Sequence, residues 1–194
     1  MCGRYYVDEE TAGEIQRLVR TLDRKLRLGN AGDIVPSQCA DVLRGKDGGS
    51  LTDEKMFWGF PRFEGKGLLI NARAESALER KAFRESVRHR RCVIPAKGFY
   101  EWNRDKEKFS YERADAPVLF MAGCYDRYQD QDRFVILTTA ANPSVAPVHD
   151  RMPLILEPGE LEQWVFDEKG AEAILQKTPV MLRCSGEYEQ LRLF

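Results

Sequence analysis

Cys92-Val93-Ile94, then Gly98-Phe99-Tyr100-Glu101-Trp102, then a charged stretch at 103–108 returning into Phe109-Ser110-Tyr111: this run decides the fold. Short apolar runs rich in aromatic and β-branched residues read as strands, and two of them around a charged turn read as a hairpin. Downstream, residues 118–124 and 134–139 form a second strand pair across the polar loop 126–132. Upstream, Val42-Leu43 and Lys55-Met56-Phe57-Trp58 flank the turn Lys46-Asp47-Gly48-Gly49. Gly67-Leu68-Leu69-Ile70-Asn71 reads as a short buried strand entering a polar loop, and Leu154-Ile155-Leu156 and 180–183 add two more strands.

Helices flank this strand-rich middle. Asp8 is placed to cap a helix whose first turn carries Glu9 and Glu10 and whose apolar face carries Ile15, Leu18, Val19, Leu22 and Leu26, with Gly29 as its stop. Residues 78–91 read as a basic helix holding Arg80, Lys81, Arg84, Arg88, Arg90 and Arg91, either a solvated face or a phosphate-binding one. Two short helices are expected at 159–166 and 170–176. There is no internal repeat, linker or low-complexity tract. The expectation is α+β: a single compact domain, 1–194, with a largely antiparallel, barrel-like sheet core and flanking helices.

Composition narrows the class. The 194 residues carry 30 basic and 31 acidic side chains, a net charge of −1 that argues against a strongly basic nucleic-acid coat but leaves room for a local basic groove. No apolar run approaches the roughly 18 residues of a membrane span, and the charged residues from 4 to 30 do not read as a signal peptide. The five cysteines include no C-x-x-C, and with only two histidines, His89 and His149, a structural zinc site is not expected. A cytoplasmic protein with reduced thiols is the reading, without metal or cofactor.

Four places carry candidate chemistry. Cys2 follows the initiator Met, so loss of Met1 leaves an amine and a thiol on one residue. An amine condenses with an aldehyde to an imine, and the neighbouring thiol closes on that imine as a five-membered thiazolidine. The closure is intramolecular, where effective molarities reach on the order of 10⁵–10⁸ M. The bland alternative is an incidental cysteine. Asn71-Ala72-Arg73-Ala74-Glu75 either ends a strand with an ordinary ion pair or positions a ligand. Glu101 interrupts an apolar strand: outward it means nothing, inward it is desolvated with its pKa raised, able to move protons near neutrality. His149-Asp150-Arg151, set between Pro147 and Pro153, is a rigid polar loop around the side chain that titrates nearest neutral pH; a loop histidine bonded to backbone is the alternative.

Taken in order, Met1-Cys2-Gly3-Arg4, Trp58-Gly59, Asn71-Ala72-Arg73-Ala74-Glu75, Gly98-Phe99-Tyr100-Glu101-Trp102 and His149-Asp150-Arg151-Met152-Pro153 resemble the SOS-response-associated peptidase (SRAP) family of abasic-site processing proteins. The resemblance runs from residue 2 to about residue 165. It implies a mixed α/β fold, a DNA-damage role, binding of single-stranded DNA containing abasic sites, and a covalent thiazolidine crosslink to the ring-opened sugar. It implies Cys2 as nucleophile, Asn71 as the residue positioning it and the sugar, Glu101 as proton carrier and His149 as the group assisting ring opening. Arg4, Arg73 and Arg151 would meet phosphates, and Trp58, Phe63 and Pro36 would line the DNA groove. A monomer, cytoplasmic and nucleoid-associated when bound to DNA, with lyase-like or cysteine-peptidase chemistry that includes removal of its own Met1, completes the expectation.

Two departures stand out. Asp33-Ile34-Val35-Pro36 puts a carboxylate where the family carries Asn, and Pro61-Arg62-Phe63 puts Phe where relatives often carry Trp. Phe still stacks on a base; a carboxylate near DNA weakens binding. The rival readings are an N-terminal-nucleophile cysteine hydrolase of the peptidase or glutamine amidohydrolase type, which needs a larger layered sheet, and a non-catalytic single-strand binder.

Overall fold

The structure, a computed structural model, describes residues 2–20 and 31–186. Strand β1 (Tyr5–Val7) leads into helix α1 (Glu9–Arg20). Asp8 caps that helix as expected, its Oδ1 accepting the backbone N–H of Thr11 at 2.7 Å. The expected continuation through Leu22 and Leu26 to Gly29 lies outside the described residues. Strands β2 (Gly32–Ile34), β3 (Cys39–Lys46) and β4 (Ser50–Trp58) follow. The tight turn between β3 and β4 has Gly48 at φ 98° and Gly49 at φ 81°, conformations that side-chain-bearing residues adopt only at a cost.

Next come β5 (Phe60–Pro61), β6 (Leu68–Leu69), β7 (Asn71–Arg73), the short helix α2 (Arg84–His89), β8 (Arg91–Ala96) and β9 (Gly98–Trp102). Strands β10 (Lys108–Glu112), β11 (Leu119–Tyr128), β12 (Gln131–Ala140), β13 (Arg151–Pro153) and β14 (Ile155–Leu156) lead to helices α3 (Leu161–Phe166) and α4 (Glu168–Leu175) and to β15 (Arg183–Gly186).

One sheet runs β15-β10-β9-β1-β2, and the other runs β13-β12-β4-β3-β8-β11-β14. In the second, β11 also pairs with β12, which closes the ring β12-β4-β3-β8-β11 into a five-stranded barrel. Pairing is antiparallel except where β12 lies parallel to β4 and β7. The α+β, barrel-like, largely antiparallel expectation therefore holds.

Alternation along the barrel strands separates two cores. Val93, Phe120, Ala122, Val135 and Leu137 cluster with residues of all four helices, among them Ile15, Val87, Trp164 and Ile174. The intervening Cys92, Ile94, Met121, Phe134 and Ile136 cluster with Cys2, Tyr5, Trp58 and Phe99 and with no residue of the four helices. Successive side chains of a strand point to opposite faces. The helices thus cover the outside of the barrel, and the chain's first strand packs with its inner residues.

Four local expectations change. The basic helix shrinks to six residues, Arg84–His89, with Phe83 and Val87, one turn apart, buried there. Two of its cations bond inward. Arg91 is buried and donates to the carbonyls of Trp164, Val165, Val87 and Arg88 at the ends of two helices, and Arg90 pairs with Asp126 at 3.0 Å. The polar segment 126–132 is not a loop: the β11–β12 ladder continues to Tyr128↔Gln131, with Gln129 turning at φ 55°. The last strand begins at Arg183, because Val180 and Leu182 bond to side chains of another loop instead of a ladder. Finally, residues 68–70 are half-buried, and Asn71 begins a strand instead of a loop.

Candidate active site

Residues 2–4 continue the line of β1 beside β9. Tyr5 pairs with Phe99, and the Tyr100 N–H donates to the Arg4 carbonyl at 3.0 Å. This antiparallel course carries Cys2 toward the Glu101 end of β9. Cys2 is wholly buried. Its carbonyl accepts the Asn71 side-chain amide, Nδ2 to O, at 2.9 Å, and its Sγ lies 3.8 Å from the Arg4 carbonyl. Burial first, and the charge of Glu101 second, push the Cys2 thiol well above the usual range, so it is protonated at neutral pH.

Asn71 is held from behind. Its strand lies parallel to β12 at Ile136, and the preceding Ile70 carbonyl accepts both the Ile136 N–H at 3.1 Å and the Trp58 indole N–H at 2.9 Å. The Asn71 Oδ1 is buried with no hydrogen-bond partner among the described residues. Buried acceptors are rarely left so. Asn71 thus holds the Cys2 carbonyl with its donor, while its acceptor is without a partner among the described residues.

Glu101 settles the ambiguity of its strand. On β9, Phe99 and Glu101 are buried while Tyr100 and Trp102 are half-exposed, so the carboxyl faces inward. Burial raises its pKa, opposed by the positive charges of the amino terminus and of His149. The charge of Glu101 thus acts on Cys2, and that of His149 on Glu101.

The His149 loop is built by a residue that sequence reading passed over. Asn142, 3% exposed, donates to the carbonyls of Pro179 and Val180 at 3.1 and 2.8 Å and accepts from Ser144 N–H and Oγ–H at 3.0 and 2.5 Å. The sequence signal was available in Asn142-Pro143, a turn-initiating pair. His149 N–H then donates to Val145 O at 3.1 Å. The ring Nδ1 lies 3.0 Å from both the Arg151 N–H and an Asp150 carboxylate oxygen. The N–H can only donate and the carboxylate can only accept, so the two compete for the same ring nitrogen. Asp150, mostly exposed, interacts as a charge when the ring is protonated. An open groove of about 810 Å³ runs between this loop and residues 102–105, lined by His149, Trp102, Asn103 and Arg104.

The expected DNA-contacting residues divide. Arg73 is exposed on β7. Phe63 is fully exposed beside a second open groove of about 1050 Å³ lined also by Arg62, Leu69, Lys81 and Tyr128. Pro36 is half-buried in the turn before β3. Arg4 is half-exposed, its guanidinium 5.7 Å from the Trp102 ring centre and 3.3 Å from the Asp33 carboxylate.

Two placements correct the sequence reading. Trp58 is fully buried against Tyr5 and Phe134, at 5.3 and 6.1 Å between ring centres, and offers no face to a base. Its position at the inward end of a barrel strand makes it a buttress of Asn71. Arg151 is clamped by both oxygens of Glu75 at 2.7 and 2.8 Å and by the Thr138 carbonyl at 2.6 Å, so its fork is already engaged within the protein. The hydrogen bonds from Arg151 hold the Glu75 carboxyl below its ordinary range. Among the described residues no group of three His, Cys, Asp or Glu could hold a metal ion, and no helix is long and apolar enough to cross a membrane.

Comparison with known proteins agrees with this geometry. The chain is 30% identical over 186 residues to the abasic site processing protein YedK of Escherichia coli (strain K12), covering 89% of this chain and 83% of that protein. It is 30% identical over 182 residues to the abasic site processing protein YoqW of Bacillus subtilis (strain 168), covering 85% and 80%. A crystal structure of a protein from Bacteroides thetaiotaomicron superposes with a TM-score of 0.78 at 22% identity, covering 95% of this chain and 91% of that one, a likeness of fold. Residues 1–189 match the family described as SOS response associated peptidase, and the chain belongs to that SRAP family.

Proposed function

We propose that this protein processes abasic sites in single-stranded DNA by forming a covalent crosslink through Cys2. The observation that carries the reading is the convergence of a buried Cys2, the Asn71 amide on its carbonyl, and the charges of Glu101 and His149 at one place. With Met1 removed, the Cys2 amine adds to the aldehyde carbon of the ring-opened sugar, and loss of water gives the imine. The thiol sulfur then adds to the imine carbon while its proton passes to nitrogen, closing a thiazolidine. No oxidant or metal enters the balance.

Each neighbour has a proton or a bond to manage. Glu101, favouring its protonated form, hands a proton to the departing oxygen and takes one from the amine. His149 moves the proton whose transfer opens the deoxyribose ring, and Asn71 Oδ1 accepts from a sugar hydroxyl while Nδ2 fixes Cys2. Arg4 and Arg73 face phosphates, and Phe63 and Pro36 border the strand. A layered-sheet amidohydrolase is the weaker fit, because the core is a closed barrel.

The test is incubation of protein lacking Met1 with single-stranded DNA carrying one abasic site, followed by heat and detergent. A stable adduct is expected from the wild type and none from Cys2→Ala; Cys2→Ser, which keeps the amine, gives at most a labile one. Equally stable adducts from Cys2→Ala would overturn the reading. Protein that keeps Met1 has an amide at this nitrogen and is expected to bind DNA without crosslinking until Met1 is removed.

A further inference from the structure

Asp33 has no part in the chemistry above, yet it stands against a residue that does. It lies on the edge strand β2, opposite Tyr6 of β1, with its side chain 43% exposed. Its Oδ2 is 3.3 Å from Nη1 of Arg4, two residues from the nucleophile, and its charge, after burial, helps to raise the pKa of the nearby Tyr100 phenol. Arg4 also leans on the Trp102 ring. A carboxylate held by a guanidinium has the same charge sign as a phosphate and offers a similar pair of acceptor oxygens.

We propose that Asp33 is a built-in competitor for the backbone phosphate at Arg4, and so a determinant of how weakly the protein holds undamaged single strands. The inference rests on the DNA-binding reading of the same site. An incoming phosphate takes the Arg4 fork from Asp33, and the released carboxylate gathers a cation from solution. DNA gives up a counterion at that contact while Asp33 takes one up, so the net ion release at Arg4 is close to cancelled. A surface pair of this kind is weak enough to exchange. The retained strand is then one whose covalent or shape-specific contacts at Cys2 add to the phosphate contacts.

Asp33→Asn keeps the size and removes the charge. Binding of an undamaged oligothymidylate, followed by fluorescence anisotropy from roughly 50 to 200 mM salt, is the assay. The variant is expected to bind about 1.5–5-fold more tightly at the low-salt end. Its plot of log affinity against log salt should be steeper by about 0.7, the single-strand value for one phosphate. Both gains should vanish when Arg4→Gln is added, because the coupling runs through that guanidinium. Unchanged affinity and slope in Asp33→Asn would overturn the proposal, and so would a gain that survives Arg4→Gln, which marks general repulsion instead of competition. Wild-type crosslinking of abasic DNA is measured beside it. Its absence counts against the crosslinking function, whereas crosslinking with an inert Asp33→Asn counts against Asp33 alone.

Discussion

Replacing Asn71 by Ala removes one hydrogen bond and one waiting acceptor, and the two losses are separable. The Nδ2 bond to the Cys2 carbonyl is 2.9 Å long and partly buried. Its deletion costs about 1 kcal/mol net, rising to about 1–3 kcal/mol where the carbonyl is left dry. For a chain of this length about 2–4 °C of Tm is lost per kcal/mol, so a fall of roughly 2–12 °C is expected by calorimetry. The chemical loss should be larger. A nucleophile displaced by about 1 Å costs on the order of 10²-fold in rate, read as the single-turnover rate of crosslinking at saturating protein. Affinity for undamaged single strands should change little, since the proposed role of Asn71 is at the sugar and not the phosphates. Asn71→Asp keeps the Oδ1 acceptor but turns the donor into a second acceptor facing the Cys2 carbonyl, and should be no faster than Ala. If Asn71→Ala melts early as calculated yet crosslinks within threefold of the wild type, the bond is structural and the positioning role is wrong.

Glu101→Gln tests the buried carboxyl twice. Its folded pKa is raised, so the native state favours the proton: stability relative to the Gln variant is fully present below the ordinary Glu value near ~4.3 and is lost as pH rises through the folded pKa. Urea melts of the two proteins should therefore diverge upward from that pH in favour of Gln, and parallel curves would place the carboxyl in water. The same variant should crosslink about 10²–10⁴-fold more slowly and lose one limb of the pH–rate profile; an unaltered profile would leave Cys2 unaided. Arg73→Gln should flatten the salt dependence of strand binding by about 0.7. Arg151→Gln, which breaks the Glu75 clamp, should instead lower Tm more than it changes the slope, and the reverse pattern would show Arg151 releasing Glu75 to hold phosphate.

The sequence made much of this legible, and the limits were physical. Alternation around Glu101 announced a strand with two unlike faces, but a period of two does not say which face is buried. That is decided by packing: Phe99, on the same face as Glu101, clusters with the inner barrel residues Ile94 and Met121. The polar residues at 126–132 read as loop because strand patterns are sought in apolar runs, whereas a hairpin tip beyond the core keeps its ladder with polar side chains. Trp58 was placed at the DNA groove by motif; its burial follows from barrel closure, which no local window contains. Arg151 and Glu75 are 76 residues apart in the chain, and only the β12–β13 and β12–β7 pairings bring them together. The short reach of Asp8 to Thr11, by contrast, is local, and it was read correctly.

The complete burial of Cys2 amounts to a chemical quarantine. An aminothiol in water captures whatever small aldehyde diffuses past, because ring closure asks nothing of the rest of the aldehyde. At 0% exposure the sulfur meets no such traffic. Under the proposed function, an aldehyde that reaches it would have to arrive on a scaffold with enough contacts to part the Asn71 and Arg4 neighbourhood and hold it open, so discrimination would lie in the cost of entry more than in the reaction itself: a warhead of low intrinsic selectivity made selective by being kept indoors.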